Sequence, residues 1–254
     1  MPSRKRLAGL AVLIILSGEY LMVKAAEDRS SEPQTYVSNS QFISKFTAQD
    51  FTPDGDLAKP VWRGARWVKV DHDAFKPVSY PQSATEVASL WTPAYVYIAF
   101  RCQYTTLNLY EGKDPNQDFW TLWDRDVVEV FLNPQPEHTK HYYEFEVAPN
   151  NLWIDLEIDL EKQPFNDAKW DSGFEHATRI DPPAHVWTCE MRIPVAGMKG
   201  TKRLEAGTAW RLNFFRADGP GDDSQRRFLS WSQVQSDKKS FHSPWSFGLI
   251  RFEK

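Results

Sequence analysis

The chain has 254 residues, 41% of them hydrophobic and 14% aromatic, and a formal net charge of −4. That length and apolar content suit one globular domain with short extensions, and the acidic balance argues against a basic phosphate-binding face and so against nucleic acid as a partner. The 11 tryptophans are large and amphipathic, suited to a core and equally to a sugar- or protein-binding surface.

In chain order, the first element is a targeting segment. Arg4, Lys5 and Arg6 precede an apolar run from Leu7 to Leu16, and small residues follow at Ala25 and Ala26. This is the pattern of a secretory signal peptide over residues 1–25. An uncleaved anchor is the weaker reading, because Glu19 interrupts the run and a span needs about 20 apolar residues. The expected location is therefore secreted or periplasmic, with no transmembrane span after cleavage. Residues 26–41 are polar, with Ser and Pro, and read as a flexible segment. Residues 42–254 then read as one continuous folded domain.

Within that domain the predicted elements are strands. "AYVYIAFRC" (94–102), "DVVEVFL" (126–132), "YYEFEVA" (142–148), "LWIDLEIDL" (152–160), "VWTCEMRI" (186–193) and "WRLNFFRAD" (210–218) are rich in β-branched and aromatic residues. In the fourth, Ile154, Leu156 and Ile158 alternate with Trp153, Asp155, Glu157 and Asp159, which predicts a half-buried strand with an acidic outer face. "TPDGD", "APNN", "DPP" and "DGPGDD" supply turns between runs. One short helical turn is expected at Pro194–Met198. The expected fold class is all-β, an antiparallel β-sandwich of jelly-roll or immunoglobulin-like topology.

Several residues invite a functional reading. Glu129 sits at the centre of "DVVEVFL", on the parity of Val127 and Phe131. A carboxylate there needs a partner, either Arg101 or Arg211 on another strand or a ligand. Trp123, flanked by Asp124, Arg125 and Asp126, suits a core position or an exposed platform. Cys102 and Cys189 both fall on apolar-facing parity and are either a disulfide or two buried thiols. His138, His141 and His242 lack metal-ligand spacing, so no metal site is assigned to them. Asp54 and Asp56 suit a solvated turn or an oxygen-ligated calcium. Glycosidase chemistry needs two carboxylates flanking a bond. Glu129, Glu144, Glu146, Asp155 and Glu157 supply the groups, but a small sandwich supplies no obvious cleft. Haem held through Met and His ligands would have only Met191 and Met198 as methionines outside the targeting segment. The chain is therefore not expected to be an enzyme.

The ordered series "FTPDGDLAKPVWRGA", "LWTPAYVYIAFRCQY", "LWDRDVVEVFLNP", "YYEFEV", "VWTCEMRIP", "WRLNFFRAD" and "LSWS…SFGLIRF" resembles the family 9 carbohydrate-binding modules, DOMON-like β-sandwich domains of secreted bacterial proteins, from about Phe42 to Lys254. The resemblance implies a non-catalytic module that clamps a sugar between two aromatic rings. By motif position the first ring is Trp123 and the second Phe241, with Trp245 a near neighbour, and the family's carboxylate falls on Glu129. Glu146 and Lys238 complete the implied ligand-binding set. The partner implied is a polysaccharide or oligosaccharide, bound by a monomer with no required cofactor and structural calcium left open. Two departures from the family pattern stand out. Glu146 occupies a position where better-known members carry a basic residue, and the second ring is Phe rather than Trp. An envelope- or protein-interaction module with a decayed sugar site is the alternative these departures leave.

Overall fold

The computed structural model describes residues 35–254; the signal peptide expected at 1–25 and most of the polar segment after it lie outside the described residues. Residues just before Gln41 are held against the domain. The Asn133 amide donates to the Tyr36 hydroxyl at 2.9 Å, and the Val37 N–H bonds Trp245 O at 2.8 Å.

The described strands are β1 (Gln41–Phe46), β2 (Trp67–Val70), β3 (Thr85–Trp91), β4 (Tyr95–Gln103), β5 (Val127–Asn133), β6 (His141–Val147), β7 (Trp153–Asp159), β8 (Asn166–Asp167), β9 (Glu175–Asp181), β10 (Val186–Pro194), β11 (Ala209–Asp218), β12 (Arg227–Ser230) and β13 (Gly248–Glu253). All six strand runs read from alternation are present within a residue or two of their expected ends. The expected turn at Pro194–Met198 is a three-residue 3-10 turn, Val195–Gly197. Hydrogen bonding runs in the order β8-β7-β6-β5-β11-β13-β1-β3-β4-β10-β9, with β12 added to β11 and β2 to β3. The sheet curls so that its two halves face each other. Pairing is antiparallel except where β1 lies parallel to both β13 and β3, joining the halves.

Three cores follow from strand parity. Between the halves, Val128, Val130 and Leu132 of β5 and Tyr143, Phe145 and Val147 of β6 meet Ile98, Phe100 and Cys102 of β4 and Trp187, Cys189 and Met191 of β10. Behind β7-β6-β5-β11, a second core gathers Val127, Phe131, Tyr142, Ile154, Leu156, Ile158, Phe215 and Phe247. Behind β3-β4, Trp62 and Leu57 pack on Leu90 and Tyr97. Each fully buried large apolar side chain contributes about 1.5–3 kcal/mol, so the loops that close the second and third cores are integral to the fold.

That second core corrects the reading of β7. Asp155 stands opposite Phe145 and therefore shares the face between the sheet halves, where it is fully buried. It accepts a bond from Ser172 N at 2.8 Å and another from the Ser172 hydroxyl. Desolvation raises its pKa to about 6. The isoleucines and Leu156 instead point outward from the sandwich and are covered by loops.

Cys102 and Cys189 are both free and buried, which decides between the two sequence readings in favour of thiols. Cys102 faces Trp187, and Cys189 faces Phe100, in the β4–β10 register. Burial pushes the Cys102 thiol up to about 12, so it packs as an inert apolar group.

Candidate functional site

The strand that carries Glu129 is antiparallel to β6 and to β11, and the register fixes what surrounds it. Glu129 stands opposite Glu146 on β6 and opposite Phe215 on β11, while Glu144 stands opposite Phe131. Period-two alternation then puts Glu129, Glu144 and Glu146 on one face of the sheet, the face of the second core. Leu156 and Ile154 of β7 lie opposite Glu144 and Glu146 and wall them on the far side.

The three carboxyls are 2%, 3% and 0% exposed. One oxygen of each lies within 4.8 Å of the others. Neither oxygen of Glu146, nor Oε2 of Glu144, has a hydrogen-bond donor among the described residues. Desolvation, and then the neighbouring carboxylates, push Glu129 and Glu146 well above the usual carboxylate range. His242 Nδ1 approaches Glu144 Oε2 at 4.0 Å and meets the Tyr142 hydroxyl at 2.7 Å.

The ion pair proposed for Glu129 from sequence is not formed. Arg101 pairs with Glu86 at 2.8 Å, and Arg211 lies over the Tyr36 ring at 4.1 Å. The cation whose field reaches Glu129 is Arg226, a residue the sequence reading missed. Its Nη2 donates to Trp123 O at 2.7 Å and Arg125 O at 2.6 Å, and its Nη1 to Asp223 at 3.1 Å. Arg226 thereby fastens the Trp123 turn beside the carboxylates. "DDSQRRFL" carries two adjacent arginines, and only the three-dimensional path shows which one turns inward. The other, Arg227, serves Asp218 with Arg216 in a buried network.

Trp123 lies in the 3-10 turn Leu122–Asp124, which packs against β6. It is half-buried and stands edge-to-face with Trp120 at 5.0 Å; Trp120 is 40% exposed. Thr121, between them, has φ 70°. A β-branched residue in the left-handed region is strained, and here that conformation starts the turn that carries Trp123.

The other implied residues fare differently. Phe241 is half-buried, but it stacks on Phe215 at 4.1 Å and 14° and on Phe75 at 5.7 Å, with Phe228 at its edge. It is part of an aromatic cluster rather than a free-standing ring, because Phe215 projects from β11 on the same face. Trp245 is 4% exposed and its indole N–H donates to Gln235 O at 2.7 Å. The turn Pro244–Ser246 folds it inward, so it offers no platform. Lys238 is exposed, in the loop after Val234.

Two other places carry charge. At the Asp54–Asp56 turn, Lys59 reaches Asp54 at 2.8 Å, and Arg179 reaches Asp54 at 3.4 Å and Asp56 at 3.3 Å. A calcium ion would meet these cations at the same oxygens, so the turn does not fit one. An open basin of about 570 Å³ at the β6–β7 edge is lined by Glu137, His138, His141, Asp159 and Lys199 among others, with no Trp, Tyr or Phe in its wall. Most of its charges are paired, Lys140 with Glu161 at 3.6 Å, Lys162 with Asp159 at 2.9 Å, and His141 and Lys199 both with the neighbouring Glu157. It has no stacking surface for a sugar face.

A family model described as carbohydrate family 9 binding domain-like matches residues 54–254. An extracellular protein of Arthroderma benhamiae is 28% identical over 154 residues, covering 55% of this chain and 66% of that protein; the chain thus spans just under two thirds of its length. Among solved structures, a Bacteroides uniformis protein provisionally described as carbohydrate-binding has a TM-score of 0.69 at 18% identity, over 85% of this chain and all (100%) of that one. A family 9 carbohydrate-binding module from Caldicellulosiruptor kristjanssonii, solved with cellotriose, has a TM-score of 0.60 at 18% identity, over 84% of this chain and 94% of that one. These structural likenesses establish the β-sandwich fold.

Proposed function

The chain belongs to the carbohydrate family 9 binding domain-like family, a non-catalytic binding family, and from that premise we propose that it is an exported module that binds a glycan at the sheet end where Trp123 stands beside Glu129. The observation that carries this reading is the half-exposed Trp123–Trp120 pair on a strained turn, fastened by Arg226 next to buried carboxylates. A pyranose offers an apolar C–H face that stacks on indole and a hydroxyl rim that wants charged hydrogen-bond partners. Trp123 is the stacking ring in this account. Phe241, braced by Phe215, is the opposing wall rather than an equal partner, which makes the clamp asymmetric.

The Caldicellulosiruptor module was solved with cellotriose and in a second structure with glucose, so β-glucans are the first ligands to try. Export is supported by the basic-then-apolar N-terminal pattern and by the extracellular relative. A glycan array probed with the protein tests the reading: retention on a defined glycan supports it, and an array without hits overturns it. The second reading, an envelope- or protein-interaction module on the same fold, is favoured by one observation, the stacking of Phe241 on Phe215. An empty array together with specific capture of an envelope component would establish it instead.

A further inference from the structure

We propose that the β7 edge of the sandwich carries a second glycan subsite, framed by Trp153 and Trp170, that takes a neutral or amino-bearing sugar. The inference rests on the reading of the chain as a glycan-binding module, but on residues of its own. The inner row of β7 is Trp153, Asp155 and Glu157, standing opposite Val147, Phe145 and Tyr143 of β6. Trp170, in the segment that crosses from β8 to β9, packs on Tyr143 at 4.7 Å and on Phe145 at 6.0 Å. The two indoles therefore flank Asp155. Phe174 fills the floor, edge-on to Trp153 at 5.4 Å and to Phe145 at 5.3 Å. Both tryptophans are half-buried, and both are braced: Trp153 Nε1 donates to Pro115 O at 2.9 Å, and Trp170 rests one face against Tyr143.

The polar groups around these rings are left open. Asp155 is wholly buried; its Oδ2 takes both Ser172 bonds, and its Oδ1 has no donor among the described residues. Exposed Asp118 is set beside Trp153 by a parallel bridge between the two residues, and its carboxyl meets no donor and no cation among the described residues. Exposed Asp171 follows Trp170 and accepts the Gly173 N–H at 2.7 Å. After desolvation, Asp171 raises the proton affinity of Asp118, and both raise that of Asp155, so the three carboxyls lie within one another's field. The Trp170 indole N–H has no acceptor among the described residues. A pyranose stacks its C–H face on indole and donates its hydroxyls to carboxylates. A hydroxyl reaching Asp155 Oδ1 supplies the partner that this buried acceptor lacks. The charge then selects among sugars: a uronate or sulfate meets its own sign here, whereas an ammonium is attracted. Asp155 points between the sheet halves and Glu129 from the opposite face, so the two sites share no side chain.

The full chain and its Trp123→Ala, Trp170→Ala and doubly substituted variants are titrated calorimetrically with cellotriose, with the glucosamine trimer and with trigalacturonate. Indole N–H resonances are followed by NMR in the same titrations. The expected result is two equivalents of cellotriose or of the glucosamine trimer per wild-type chain, one in each single variant and none in the double variant. In Trp123→Ala the bound sugar shifts the Trp170 indole resonance, and trigalacturonate does not. Adding Asp118→Asn to Trp123→Ala removes an exposed carboxylate, keeps the Tm, and weakens the remaining site on the order of tenfold; this variant carries the test if Trp170→Ala does not fold. Binding that persists in Trp123→Ala and is lost in Trp170→Ala supports the subsite even where the Trp123 site fails. A single equivalent that vanishes in Trp123→Ala leaves the Trp123 site standing and overturns the subsite. Binding of none of the three probes, affinity in Trp123→Ala unmoved by Asp118→Asn, or a preference for trigalacturonate overturns it as well.

Discussion

Glu129 and Glu146 face each other directly across the β5–β6 ladder, both buried, with no salt bridge to either among the described residues. Like charges directly opposite on a sheet are destabilising. Replacing Glu146 by Gln removes one charge and supplies amide N–H donors that Glu129 and Glu144 can use. Glu146→Gln should raise unfolding stability by about 1 kcal/mol, measured by urea denaturation.

The same pair sets a pH dependence. The folded-state pKa values of Glu129 and Glu146 lie well above the ordinary 4.5, and those of Asp126 and Asp155 are raised to about 6. In each case the native state binds the proton more tightly than the unfolded chain does. Their contribution to stability is therefore greatest at acid pH and is lost as pH rises, starting near the unfolded values and ending once the folded values are passed. For Asp126 and Asp155 that window closes near pH 6. Melting followed against pH should show stability falling over this range, and more shallowly in Glu146→Gln than in the wild type.

Much of the fold was legible because strand alternation follows burial directly. Val128, Val130 and Leu132 fill the main core as the parity of "DVVEVFL" predicts, and Glu129 marks the other face. The acidic stripe of β7 misled, because its face lies between the sheet halves while loops cover the opposite face, and one-strand alternation cannot tell a sandwich interior from a loop-covered exterior. The parallel pairing of β1 with β13 joins residues far apart in the chain and left no local trace. In the site, Trp123 and Glu129 were named from their motif positions in the family resemblance, and Glu129 also from its parity in an apolar strand. Glu146 as a direct neighbour of Glu129 depends on register, Arg226 on a loop path, and the burial of Trp245 on the turn at Pro244–Ser246.

Trp245 separates a structural tryptophan from a binding one. Trp245→Phe forfeits the indole bond to Gln235 O and should cost about 1 kcal/mol of stability with glycan affinity unchanged. A glycan defect with unaltered stability would return Trp245 to the site.

Glu190 is the best-furnished buried carboxylate near the 51–67 segment. Glu190→Ala strands the Trp62 indole and two backbone N–H groups and leaves Lys59 only Asp54 as a partner. Breaking a buried pair by removing one partner costs about 3–5 kcal/mol, and chemical denaturation should show a loss of that size.

The two cysteines give a covalent check. Both are free and buried, so a thiol reagent should find none in the folded chain and two after unfolding without reductant. Two equivalents released only after reduction would mean a disulfide.

The account rests most heavily on Trp123 as the stacking ring. Calorimetric titration of the wild type and Trp123→Ala with the best glycan from the array tests it directly. A buried tryptophan anchor is worth about 2 kcal/mol or more, at least roughly thirtyfold in affinity. The predicted result is saturable binding by the wild type and a loss of that size in Trp123→Ala, with the melting transition of the folded domain retained. Equal affinity in the two proteins would contradict it.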